Sequence, residues 1–273
     1  MGRASIGRVA IKRLAALAPA RSGTVVLLYH RVGSGSGLDV DLTVADFDRQ
    51  IAGLAAAGTV VPLAVGLDGL TRATAGSGAP APRREVVVTF DDGTADFAER
   101  AVPILVEHRV PVTLYLSTAF VDEQRPFPDA GAPLSWAALR DVCATGFVDV
   151  GSHTHTHAVL DRLPSELVAG ELDRSKQLIE ERLGRPCLDF AYPKALPPTP
   201  AADAAVRARF RSAALAGTRP NRPGHTDVYR LARSPVQQSD GVRYFERKLA
   251  GGMAPEDDLR RVINRWRYRG VES

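Results

Sequence analysis

The 273-residue chain has little of what marks specialised protein classes. Two cysteines, Cys143 and Cys187, exclude a disulfide framework and read as buried thiols in a reducing compartment. No run of 18 apolar residues occurs, so no segment reads as membrane-spanning. Aromatic residues are only 6% of the chain and are not interleaved with basic ones as in a single-strand nucleic-acid groove, and no Cys and His recur at zinc-finger spacing. Neither an internal repeat nor a domain linker is visible. With 45% hydrophobic and 24% charged residues, the chain is long enough to bury a sizeable core and is neither disordered nor fibrous.

A formal charge of +4 suggests a polyanionic partner until the charge is located. Residues 1–21 carry five basic side chains (Arg3, Arg8, Lys12, Arg13, Arg21) and no acid. Residues 259–273 carry five more (Arg260, Arg261, Arg265, Arg267, Arg269) against Glu272, so residues 22–258 are net −5. The basicity is terminal, and no nucleic-acid partner is expected. The N-terminal segment has the basic start and the Ala18-Pro19-Ala20 of a signal peptide, but Lys12 and Arg13 interrupt its apolar run. Ile6, Val9, Ala10, Leu14 and Leu17 instead share one face of a basic helix suited to a membrane surface. The expectation is a cytoplasmic protein with peripheral membrane contact through basic termini, its oligomeric state left open.

Between the termini, β-branched runs alternate with helical periods. Strands are expected at Thr24–Tyr29, Val86–Phe90, Val112–Leu116, Phe147–Val150, Leu188–Ala191 and Ser212–Leu215. Helices are expected after a Thr43 cap, with Phe47, Ile51 and Leu54 on one stripe, and over Ala95–Glu107, Ser135–Ala144, Ser165–Leu183 and about Pro200–Arg211. A closing helix over 255–269 puts Leu259, Val262, Ile263 and Trp266 on one face. Thr71–Arg84 and Asp122–Pro133 read as loops. Continuous apolar strands separated by helices imply an α/β fold with a parallel sheet covered on both sides, either a barrel or an open doubly wound sheet.

Two clusters carry chemistry. His153, His155 and His157 follow a strand at its carboxyl end, where α/β folds build their sites. His153 and His157, four apart across a turn, can converge on one metal. Asp91 and Asp92 end another strand, and adjacent carboxylates repel unless a cation or proton relieves them. One Asp on a metal leaves the other free as a base, and Gly93 permits the turn that aims both inward. Two histidines and one carboxylate suit hydrolytic zinc or redox iron, and the second Asp favours hydrolysis.

Thr89-Phe90-Asp91-Asp92-Gly93, then His153-Thr154 and His157, then Phe190-Ala191-Tyr192-Pro193 resemble the motifs of the polysaccharide deacetylases, the NodB-homology proteins of carbohydrate esterase family 4. Leu27-Leu28-Tyr29-His30-Arg31-Val32 and Leu134-Ser135-Trp136 resemble stretches of the branch whose third motif reads Phe-Ala-Tyr-Pro. The resemblance covers roughly residues 22–236. It leaves 1–21 as a basic N-terminal segment and 237–273 as a C-terminal helical extension packed on the barrel. It implies a distorted (β/α) barrel of about seven parallel strands that removes acetyl groups from N-acetylated amino sugars. Carried over by position, Asp91 is the general base, and Asp92, His153 and His157 hold one divalent metal. Zinc is expected, with cobalt, nickel and manganese as the other ions this donor set accepts. Thr154 is expected to hydrogen-bond within its loop and orient the ligands.

The chain also departs from the family pattern. Where the third motif usually ends Tyr-Gly, this chain has Lys194 and Ala195, so the oxyanion donor is expected to be the Lys194 backbone N–H. Arg233 sits where the Phe-Ala-Tyr-Pro branch often has a late arginine and is read either as orienting Asp91 or as a surface residue on a last strand. No Leu-x-His motif supplies a proton donor for the leaving amine, which leaves His225, His155 and His30 as candidates. Tyr192, Pro193 and Trp136 complete the expected surroundings. Two other readings fit parts of the pattern: an allantoinase-like hydrolase of cyclic amides, and a weakly catalytic carbohydrate-binding protein motivated by Lys194 and Ala195.

Overall fold

Apolar β-branched runs form the strands, and helices with one buried stripe cover them. The computed structural model describes residues 21–72, 84–128 and 131–253. Strand β1 (Val25–Tyr29) is followed by two dipeptide strands, β2 (Arg31–Val32) and β3 (Asp41–Leu42), which pair with each other. Then come β4 (Val86–Asp92), β5 (Val112–Leu116), β6 (Val148–Ser152), β7 (Asp189–Ala191), β8 (Ser212–Ala214) and β9 (Arg233–Pro235). The first six expected strands are therefore present with ends shifted by one or two residues. The seventh strand of the sheet, β9, is a three-residue stretch too short to show a period.

The helices are α1 (Val44–Ala57), α2 (Leu63–Thr71), α3 (Val102–Glu107), α4 (Thr118–Asp122), α5 (Trp136–Ala144), α6 (Ser165–Leu183), α7 (Pro200–Arg207) and α8 (Gly241–Leu249). Thr43 caps α1 through its side chain, and Ser135 caps α5 in the same way. The helix expected over Ala95–Glu107 is present and contains a π-helical turn, Phe97–Ala101, that runs into α3. Pro103 has no N–H for the carbonyl four residues back, and the Val102 N–H reaches the Phe97 carbonyl five back. Helix α7 stops four residues earlier than expected. Within the expected loop Asp122–Pro133, Phe127 and Gly131 form an antiparallel bridge. The closing helix over 255–269, most of the N-terminal segment and residues 73–83 lie outside the described residues.

The seven sheet strands run in the order β8-β7-β6-β5-β4-β1-β9, every pair parallel. Leu231 bridges Ala214, and the Gly217 N–H donates to the Arg233 carbonyl at 2.7 Å, bringing β8 round to β9. The result is a nearly closed (β/α) barrel. Alternation along each strand sorts its side chains. Val25, Leu27 and Tyr29 of β1, with Val86, Val88 and Phe90 of β4, join the large outer core beneath the helices. Val26, Val87, Tyr115, Ala191 and Ala214 line the interior, which Leu63, Leu67 and Leu70 of α2 share. After β9, α8 returns to the outer core through Phe245, and the buried Lys248 ammonium donates to the Pro235 carbonyl and to Asp240, each at 2.6 Å.

Among the described residues no helix is long and apolar enough to cross a membrane. The two ends of the described body meet: the Arg21 N–H donates to the Ala250 carbonyl at 3.1 Å. Both lie near Pro220 and Asn221, and Asn221 bridges Thr24 at the amino end of β1.

Candidate active site

The alternation that sends Val86, Val88 and Phe90 outward points Thr89 and Asp91 into the barrel at the carboxyl end of β4. On β6, Val148 and Val150 go outward and Gly151 faces Tyr115. A Cβ at Gly151 would lie 2.8 Å from the Tyr115 Cδ1 and 2.6 Å from the Asp189 carbonyl oxygen, so glycine leaves room for that ring. His153, two residues on, enters the mouth. Arg233 enters from β9, fully buried at 0% exposure, its guanidinium 5.0 Å above the Tyr115 ring.

Arg233 meets Asp91 in a two-pronged ion pair, Nη1–Oδ1 2.5 Å and Nη2–Oδ2 2.8 Å. Burial pushes the Asp91 carboxyl up, but Arg233 and His153 outweigh it and bring it down to about 2. Asp91 is thus a carboxylate at neutral pH. Asp92, with φ 78°, turns toward two imidazoles: its Oδ1 lies 3.7 Å from His153 Nε2 and 3.5 Å from His157 Nε2.

Those contacts are too long for hydrogen bonds. The His153 Nδ1 donates to the Ala191 carbonyl at 2.8 Å, which leaves Nε2 as the ring nitrogen facing Asp92. Burial, then His153, pushes His157 well below the ordinary imidazole value, so it is neutral at pH 7. Three potential ligand atoms, one from each residue, lie within 4.8 Å of one another. Two ligands about 2.0–2.1 Å from a shared tetrahedral ion lie about 3.4 Å apart, close to the observed spacings. The donor set fits a divalent cation.

The backbone here is strained where it is ordinary elsewhere. Of seven non-glycine residues with positive φ among those described, five are at this mouth: Asp92, Thr154, His157, Lys194 and Ala195. Such residues cost about 1–3 kcal/mol each and persist only where their surroundings fix them. Gly93 follows Asp92 at φ 99°, with Leu116 and Val121 packed where its side chain would be. Lys194 and Ala195, at φ 56° and 53°, make the turn that glycine would ease, and Lys194 lies close enough to His157 to lower its pKa.

His30 also reaches the site. Burial lowers its pKa, while Asp92 and Asp91 oppose the shift, and its Nδ1 is buried with no hydrogen-bond partner. Other expected residues are directed elsewhere. His155 Nδ1 pairs with the Thr118 hydroxyl at 2.9 Å rather than joining the donor set. Trp136 donates to Asp122 at 2.9 Å and lies under Arg182, on the wall between α4 and α6. Tyr192, one step beyond the inward Ala191, packs its ring against Phe190 in the outer core, so only its backbone and Pro193 shape the turn. The Thr154 hydroxyl is buried without a partner, and the residue bonds within the loop through its N–H, which donates to the Ser152 hydroxyl at 3.3 Å. The loop is held instead through its backbone, chiefly by Glu171, which sequence reasoning missed. His225 lies beside Arg21 and Asn221 at the amino end of the barrel, so it is no proton donor for this mouth.

Residues 78–213 match the polysaccharide deacetylase family model. The chain is 27% identical over 123 residues to the poly-beta-1,6-N-acetyl-D-glucosamine N-deacetylase of Staphylococcus aureus, an alignment covering 42% of each protein. It therefore spans under half the length of the curated relatives it matches. It superposes on IcaB from Ammonifex degensii with a TM-score of 0.70 at 25% identity, covering 87% of this chain and 100% of that one. It shares its fold with a polysaccharide deacetylase from Bacillus cereus, at a TM-score of 0.69, 22% identity, and 84% and 69% coverage.

Proposed function

The chain belongs to the polysaccharide deacetylase family, and from that premise we propose that it hydrolyses the acetamide of an N-acetylated amino sugar, releasing acetate and a free amine. The supporting observation is the contrast between adjacent carboxylates: Arg233 keeps Asp91 ionised, while Asp92 faces the imidazoles of His153 and His157. Asp92, His153 and His157 would hold a divalent ion, with zinc the first to test. When bound, such an ion supplies Lewis-acid chemistry, making water nucleophilic near neutral pH and polarising the acetamide carbonyl.

The chain's own residues do the rest. Asp91 accepts the proton from the attacking water, and its pairing with Arg233 keeps both oxygens aimed. The Lys194 backbone N–H, in a left-handed turn, donates to the carbonyl oxygen as negative charge develops there. His30, in the same field as Asp91, relays to the departing nitrogen the proton that Asp91 has taken up, as the C–N bond breaks. Because the Staphylococcus aureus relative is named for a β-1,6-linked N-acetylglucosamine polymer, oligomers of that sugar are the first substrates to test.

The deciding experiment measures acetate release and metal content together. Wild-type protein should release acetate from N-acetylglucosamine oligomers, lose that activity with a chelator and regain it with zinc. D91N should keep its metal yet lose activity by about a hundred- to ten-thousandfold. Acetate release by D91N at the wild-type rate would remove Asp91 as the base.

A further inference from the structure

We infer that Glu171, on α6, is a positioning residue that fixes the loop between His153 and His157 in the shape that lets both imidazoles meet Asp92. The inference rests on reading those three residues as the metal set. The residues between the histidines follow no low-energy path, since Thr154 and His157 both have φ 64°. A loop of this kind keeps one shape only if its backbone groups are held.

Glu171 holds the amides. Its Oε2 accepts the His155 N–H at 3.0 Å and the Thr156 N–H at 2.9 Å, while Oε1 accepts the Thr156 hydroxyl at 2.9 Å. One carboxylate thus spans two consecutive N–H groups, in the way a backbone nest receives an anion. The opposite edge is held separately by α4, where the Ala119 N–H donates to the His155 carbonyl at 2.8 Å. Helix α6 is a firm support. Val168, Leu172, Leu178 and Ile179 are buried, and the Ser175 hydroxyl lies 2.8 Å from that of Ser152, the residue before His153. The same helix therefore fixes the start of the loop through Ser175 and its middle through Glu171. Groups that orient ligands from behind typically govern metal affinity by about 10–100-fold.

The test reads metal binding rather than turnover. Zinc-free wild type, E171A, E171Q and H153A are titrated with zinc, and their cobalt forms are compared by visible absorption. E171A should bind zinc about 10–100-fold more weakly and show an altered cobalt spectrum. E171Q should remain close to wild type, because its amide oxygen can still accept both N–H groups and the Thr156 hydroxyl can turn to accept its NH2. At saturating zinc, E171A should recover most of its acetate release, as expected of a group that touches neither substrate nor ion. A folded E171A with wild-type affinity and spectrum overturns the proposal. Should E171A fail to fold, E171D takes its place: its shorter reach must weaken zinc binding, and unchanged affinity overturns the proposal equally. If wild type binds zinc no better than H153A, the metal reading itself falls.

Discussion

Arg233 and Asp91, 142 residues apart in the chain, close on each other with both prongs of a guanidinium on both oxygens of a carboxylate, inside the barrel. The pairing explains how a buried carboxyl stays ionised where burial alone would protonate it. It also makes Asp91 dependent on one distant residue. R233K keeps a positive charge but loses the planar fork. Asp91 should then titrate nearer its ordinary value, moving the acid limb of the pH–activity profile upward while metal content stays unchanged. R233A leaves a buried charge unpaired and should destabilise the fold by about 3–5 kcal/mol in denaturant titrations. An acid limb that stays in place in R233K would show that the pair does not govern Asp91.

His30 is the histidine outside the metal set that shares the field of Asp91, Asp92 and Arg233. H30N should lower kcat by about a hundred- to ten-thousandfold while zinc affinity is kept. The loss should shrink for a substrate with a better leaving amine. An equal loss with both substrates would remove His30 as the proton donor.

Asp91 also ties stability to pH, with a sign that can be worked out. Its folded value, about 2, lies below the ordinary 3.8. Between those values the unfolded chain takes up a proton that the folded chain refuses. The contribution, about 2 kcal/mol, is therefore complete above about pH 4 and gone by about pH 2. The stability gap between wild type and D91N should close across that window in guanidinium unfolding. A gap that stays constant from pH 7 to pH 2 would contradict the assignment.

The hydrogen bond from Arg21 to Ala250 brings the end of the first basic segment beside a residue nine short of the second, at the amino end of the barrel, away from the mouth. Deleting residues 1–20 removes Arg3, Arg8, Lys12 and Arg13. At about 1 kcal/mol per basic residue near an anionic surface, sedimentation with phosphatidylserine vesicles at low salt should fall by at least a hundredfold. Acetate release from soluble oligosaccharides should not change. A truncated protein that folds and holds metal but is inactive would refute this.

The sequence carried the strands and the donor set because both depend on short-range signals. Val86–Phe90 and Val112–Leu116 are apolar at every position but a buried threonine, and the four-residue spacing of His153 and His157 lies within one loop. Pro103 could have revealed the π-turn. The outward Tyr192 was also legible, since Ala191 before it is the small residue an interior position accepts. Other features depend on the closed ring. His225 was a candidate proton donor by residue type alone, and its loop, in which Asn221 pairs with Thr24, places it at the amino end of β1. Glu171 is one of many polar residues on α6, and nothing local separates a carboxylate that holds two amides from one that faces water.

The place of β9 has a consequence during synthesis. The strand carrying Arg233 is the last added to the sheet and lies beside the first. At about 5–20 residues per second, the ribosome adds Arg233 roughly seven to thirty seconds after Asp91. Through that interval the nascent chain holds the Asp91 carboxylate without its cation, and the barrel without the strand that closes it. Final closure of the barrel and the pairing of Asp91 with Arg233 thus become a single, late event.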